Sequence, residues 1–183
     1  MRSIFDTTLE TERLILRTWS EKDFESYAKM SMDREVSQYL TPDGKPPSRP
    51  DMWRSLAMVI GHWYLRGFGL FAVIERTSSE LIGRVGPFQP EGWPDFEIGW
   101  MLRRSSWGHG YATEAALACV EYAFTKLNRE HLISVIDPQN HASIRVAERI
   151  GERLEGTVEL YHRPGYPLLQ YGMHRDEWLR RQE

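Results

Sequence analysis

The chain has 183 residues, 41% of them hydrophobic and 27% charged, with a formal net charge of -3. That length suits a single domain over residues 1–183 with a real core, and the near-neutral balance gives no electrostatic basis for binding nucleic acid or a membrane surface. The lone cysteine, Cys119, excludes an internal disulfide; no run approaches the ~18 apolar residues of a membrane span, and Met1–Asp6 lack a signal peptide's apolar stretch, so a cytoplasmic protein is expected.

Residues 12–18, rich in apolar and β-branched types, predict a first strand. Ser20 with Asp23 three places on resembles a capping box, and Phe24, Tyr27, Ala28 and Ser31 continue at helical spacing. Four of the ten prolines fall between Thr41 and Pro50, which predicts a loop. Trp53, Leu56, Ile60, Trp63 and Tyr64 then give a helix over 51–66, closed by Gly67. Short apolar runs at 70–75, 81–88 and 95–102 read as a three-stranded meander. Over 111–128, Ala116, Val120, Ala123, Phe124 and Leu127 share one face of an amphipathic helix that also carries Cys119 as a packing residue. A buried-type strand at 132–136 stops at Asp137-Pro138, Asn140 opens a helix ending at Gly151, and strands near 154–161 and 168–174 complete the chain. This order predicts a mixed α/β sheet with helices packed on its faces.

The stretch from Trp100 through Gly108-His109-Gly110-Tyr111 to Ala115 runs from a strand through a glycine-bearing turn into a helix. Two glycines let the backbone approach a ligand with its amides outward, and the helix N-terminus adds partial positive charge, an environment suited to a pyrophosphate. A dinucleotide fingerprint would need glycine where Thr113 stands, and a phosphate loop would need lysine after Gly110; neither is present. Taken alone, the turn is also compatible with an ordinary tight connection.

The neighbours decide among these ligands. Trp107-Gly108-His109-Gly110-Tyr111-Ala112-Thr113-Glu114-Ala115 resembles the coenzyme A loop and helix of GNAT acetyltransferases, particularly the ribosomal-protein-alanine N-acetyltransferase branch. Thr11 to Arg17, Glu97-Ile98-Gly99-Trp100 and Asn140 to Gly151 are similar to further segments of that branch in the same order. The resemblance implies a mostly antiparallel mixed sheet of about seven strands flanked by about four helices. It implies an acetyl-CoA-dependent N-acetyltransferase, with an amine acceptor that is a protein N-terminus or a small molecule, acting as a monomer or homodimer. By it, the amides of Trp107, Gly108, His109, Gly110, Tyr111, Ala112 and Thr113 hold the pyrophosphate. Trp100, Met101 and Leu102 pair with the pantetheine arm, Asn140 bonds that arm, and Ser143 lies near the thiol. A rival reading keeps the fold and the acyl-CoA but no catalysis, because Ala147 stands where many of these enzymes place a tyrosine acid.

Acetyl transfer needs a neutral amine, and an α-amine with pKa near 8 leaves on the order of one in ten neutral at pH 7, so one carboxylate suffices as base. Alternation on the 95–102 strand sets Asp95, Glu97, Gly99 and Met101 on one face and Phe96, Ile98, Trp100 and Leu102 on the other. Glu97 is the candidate base, the alternative being an exposed sheet carboxylate; Ser143 is the candidate acid, and Asn140 is equally a plain helix cap. Arg103 and Arg104 lie close enough to assist a phosphate. His62, His109, His131, His141, His162 and His174 show no metal-ligand spacing, so no metal is expected.

Overall fold

The computed structural model describes residues 7–161 and 163–182; Met1–Asp6, His162 and Glu183 lie outside that range. Eight strands form one sheet in the order β1-β2-β3-β4-β5-β6-β8-β7. They are β1 (Thr8–Glu10), β2 (Leu14–Arg17), β3 (Phe71–Glu75), β4 (Leu81–Phe88), β5 (Glu97–Leu102), β6 (His131–Ile136), β7 (Arg153–Val158) and β8 (Leu168–His174). Six helices accompany them: α1 (Phe24–Ser31), α2 (Arg34–Ser37), α3 (Arg49–Arg66), α4 (Tyr111–Thr125), α5 (His141–Ile150) and α6 (Arg175–Arg180).

The counts exceed the expected seven and four because β1, α2 and α6 are only three, four and six residues long. Elements that short show no repeating apolar pattern. α3 begins inside the segment expected to be a loop: Ser48 caps it, Pro50 sits in its first turn, and Ser48 and Asp51 form the reciprocal bonds of a capping box. Proline belongs there because the first helical N–H groups need no intrahelical partner. On the same helix Trp53 is 62% exposed, whereas Met52, Leu56, Val59, His62 and Trp63 are buried. The inward face is therefore rotated from the aromatic-based reading.

All neighbouring strands are antiparallel except β5 and β6, which run parallel and meet at a single register pair, Glu97↔Ile133. Beyond it the two strands part. Phe96 O accepts from Ile133 N toward β6, whereas Arg103 N donates to Ile82 O on β4. Alternation then turns the backbone groups of Trp100 toward the widening gap and those of Met101 toward β4. α4 packs across β1, β2, β4 and β5, with α5 beside it. Arg84, the register partner of Met101, reaches Tyr27 of α1, while Trp100 reaches Ser143 of α5. Consecutive residues of a strand point to opposite faces, so α1 and α5 lie on opposite sides of the sheet and the gap joins the two. Cys119 is fully buried in the core, as a packing residue should be, and burial pushes its thiol up.

Candidate active site

A cleft of about 460 Å³ occupies the gap. Glu97, Gly99 and Trp100 line it from β5, Ser134 to Ile136 from β6, Asp137 from the following turn, and Asn140 and Ser143 from the cap and first turn of α5. The expected catalytic pair thus share one cavity.

Glu97 is 8% exposed, so the alternative of an exposed sheet carboxylate is set aside. Burial raises its pKa to about 7. Three features oppose that shift: the Val135 amide at 3.4 Å, the Trp93 indole N–H at 2.6 Å, and the charge of Arg84. A carboxyl balanced this way changes protonation near neutral pH, which suits a group that takes a proton from an amine.

Trp100 donates its indole N–H to Ser143 Oγ at 3.1 Å, which leaves the serine proton available to another acceptor. Asn140 Oδ1 accepts from the Ser143 amide at 3.1 Å, so the capping role is real, and Asn140 also lines the cleft. Ala147 is fully buried, so no phenol stands at that turn of α5.

The glycine turn has the expected form. Gly108 and Gly110 both adopt φ of 80°, in the left-handed region that favours glycine, and a Cβ at Gly108 would meet nothing within 4 Å. Among the described residues the amides of Gly108, His109, Gly110, Tyr111, Ala112 and Thr113 donate to no protein acceptor, while that of Trp107 bonds Arg104 O. Six free amides at the head of the fifteen-residue α4 make a cradle for anionic oxygens. Trp107 instead uses its indole to bind Leu102 O at 2.9 Å, tying the turn to the end of β5. Arg103 and Arg104 form surface ion pairs with Glu80 and Glu35 at 2.7 and 2.8 Å.

A family model described as an acetyltransferase (GNAT) domain matches residues 13–153. The chain belongs to the GNAT acetyltransferase family. As a GNAT enzyme it transfers acetyl groups, and the family takes them from acetyl-CoA. It is similar to the uncharacterized N-acetyltransferase p20 of Bacillus licheniformis, 31% identical over 160 residues that cover 85% of this chain and 88% of that one. An acetyltransferase structure from Agrobacterium tumefaciens matches with a TM-score of 0.81 and 34% identity, covering 92% of this chain and 94% of the other. The ribosomal-protein-S5-alanine acetyltransferase of Vibrio fischeri shares the fold at a TM-score of 0.72 and 18% identity, covering 94% of this chain and 99% of that one. Among the described residues, no helix of this GNAT acetyltransferase is long and apolar enough to cross a membrane.

Three features of this GNAT chain escape sequence reading. Glu114, the fourth residue of α4, accepts from Thr11 Oγ1 at 2.6 Å, from Arg13 N at 3.0 Å and from Arg13 Nε at 2.7 Å. Arg13 in turn donates to His109 O at 2.9 Å, so the turn between β1 and β2 holds the glycine loop in place. Glu152 is 3% exposed, and its Oε1 lies 3.0 Å from Ser134 Oγ, which also lies 2.8 Å from Ile98 O. A hydroxyl has one proton; once it is given to the carbonyl, the bond to Glu152 requires the carboxyl to carry its own. Burial likewise pushes Glu152 well above the ordinary range. Finally, the fold brings ligand atoms of His131, Glu155 and His174 within 4.8 Å of one another, a grouping that linear spacing did not reveal. Both His131 nitrogens are engaged there, Nδ1 with Asp95 at 2.9 Å and Nε2 with Glu155 at 2.8 Å. Gly172 permits this, since a Cβ there would fall 2.4 Å from the Glu155 carboxyl carbon.

Proposed function

We propose that the chain is an acetyl-CoA-dependent N-acetyltransferase in which Glu97 is the general base and both substrates meet in the gap between β5 and β6. The observation that carries this reading is the position of Glu97: a buried carboxyl with a pKa of about 7, at the one point where the parallel strands part.

The donor half of the gap fits a coenzyme A thioester on three counts. The free amides from Gly108 to Thr113 suit a pyrophosphate, with Trp107 fixing the turn through its side chain. The unpaired backbone of Trp100 and the far end of β5 at Leu102 suit an extended arm carrying amides, as an added strand would. Met101 is excluded from that pairing because its backbone faces β4. Asn140 lines the same cleft and could bond such an arm through its side-chain NH2.

When bound, the donor supplies an activated acetyl thioester. The acceptor amine enters from the α1 side and gives its proton to Glu97; the new C–N bond forms as the C–S bond breaks, and the sulfur leaves with the bonding pair. Ser143 stands on the α5 side of the gap to donate a proton to that sulfur. Glu97→Gln tests the reading directly: kcat is expected to fall by roughly a hundredfold or more, with acetyl-CoA affinity by calorimetry unchanged. Undiminished kcat would remove Glu97 from the mechanism.

A further inference from the structure

The acceptor side of the cleft contains an arginine that no carboxylate among the described residues contacts as an ion pair. Arg84 projects from β4 into the cleft wall on the same sheet face as Glu97, half-buried. Its contacts are the Tyr27 hydroxyl at 3.4 Å and the Tyr27 ring, 6.0 Å from its guanidinium carbon, and among the described residues no acidic side chain forms an ion pair with it. The other arginine lining the cleft, Arg163, is paired with the buried Asp137 at 3.5 Å.

Between Arg84 and Glu97 the two strands carry no side chain of their own. On that face β4 presents Arg84, Gly86 and Phe88, and β5 presents Met101, Gly99 and Glu97; Gly86 and Gly99 are register partners at the middle position. Gly86 packs against Gly69 and Phe71, while Gly99 stays open to the cleft beside Leu70, with the Arg84 guanidinium on one strand and the Glu97 carboxylate on the other. Glu97 leans over Gly99, since a Cβ there would lie 3.6 Å from Glu97 Oε1. Tyr27 and the more distant charge of Glu97 offset only part of the solvation this half-buried guanidinium loses, and a ligand anion in direct contact would supply the rest. The guanidinium's flat fork of donors matches a carboxylate in particular.

We propose that the acceptor is a small amine that also carries a carboxylate, bound with its amine at Glu97 and its carboxylate on Arg84. The proposal rests on the reading of Glu97 as base. It favours a free amino acid over a protein N-terminus, whose first carbonyl is an uncharged amide.

The test measures thiol release from acetyl-CoA with glycine, β-alanine, γ-aminobutyrate and the common L-amino acids, each beside its carboxamide. Wild type, Arg84→Met and Arg84→Lys are compared, and binding of the same compounds is followed by tryptophan fluorescence. In the wild type, kcat/KM for the best acid is expected to exceed that for its amide by at least ~10-fold, the scale of one charge-assisted bond. Arg84→Met should erase that ratio and Arg84→Lys should keep part of it. Equal rates for acid and amide, a preference for the amide, or an acid preference that survives Arg84→Met would overturn the proposal. So would an unchanged ratio accompanied only by a shifted pH profile, because Arg84 would then act on Glu97 alone. If no amine is acetylated yet the acids bind and Arg84→Met abolishes that binding, the Arg84 site stands and the base assignment fails; absence of both binding and turnover overturns the acceptor class.

Discussion

Trp93 donates its indole N–H to Glu97 Oε2 at 2.6 Å, from the loop that delivers the chain into β5. The bond stabilises the anionic form of a carboxyl that burial otherwise keeps protonated. A base works only when deprotonated, so kcat should rise with pH through about 7 as Glu97 loses its proton. Trp93→Phe removes the bond to the anion and should move that limb to higher pH, while Glu97→Gln should abolish it. Steady-state rates between pH 5.5 and 9 with a saturating acceptor check both; a limb unmoved by Trp93→Phe would show that the indole does not tune the carboxyl.

Two buried carboxyls also set a stability trend. Burial raises the pKa of Glu97 and Glu152 in the folded chain, so folding favours their protonated forms. That stability is fully present below the ordinary glutamate range and is lost as pH climbs, through about 7 for Glu97. Glu97→Gln and Glu152→Gln should therefore raise the melting temperature relative to wild type more at pH 8 than at pH 5. Equal effects at the two pH values would contradict the protonated assignment.

The glycine loop makes a separate prediction for donor binding. Gly110 has φ of 80°, a region that costs an ordinary side chain about 1–2 kcal/mol, more when β-branched, and its Cβ would sit 3.5 Å from Arg13 Nη2. Gly110→Val should weaken acetyl-CoA binding by at least ~10-fold in calorimetry, since a β-branched residue must leave this left-handed backbone and take the loop amides with it. Gly108→Ala, with open space around its Cβ, should lose less.

Glu114 is expected to act at a distance from the chemistry. Glu114→Ala removes three bonds that fasten α4 to Thr11 and Arg13, a cost of about 1–3 kcal/mol. Thermal unfolding should drop by a few degrees, and KM for acetyl-CoA should rise more than kcat falls, because the loop is displaced while Glu97 is untouched. A fall in kcat alone would rule out this bracing role.

Ser143→Ala should have a modest effect. Coenzyme A thiolate leaves without much help, so a kcat reduction of about tenfold or less is expected. The same variant strips Trp100 of its hydrogen-bond acceptor, which should shift the protein's tryptophan emission. An emission shift with no change in kcat would reduce Ser143 to a support for the indole.

The residues that work locally were readable in the sequence. Gly108 and Gly110 before an apolar-periodic helix already specify a turn with outward amides, Asn140 specifies a cap, and strand alternation puts Glu97 and Gly99 on one face. Each depends on bonds within a few residues of chain, where φ preferences and side-chain periodicity act directly. The tertiary structure alone decided that β5 and β6 meet only at Glu97 and then diverge, that Glu114 anchors to Thr11 and Arg13, and that His131 and His174 face each other across a register pair. It alone left Arg84 without an ion-paired carboxylate among the described residues. Contacts between segments a hundred residues apart are chosen by how whole faces pack and which backbone groups find partners, and that competition leaves no fixed spacing in the chain.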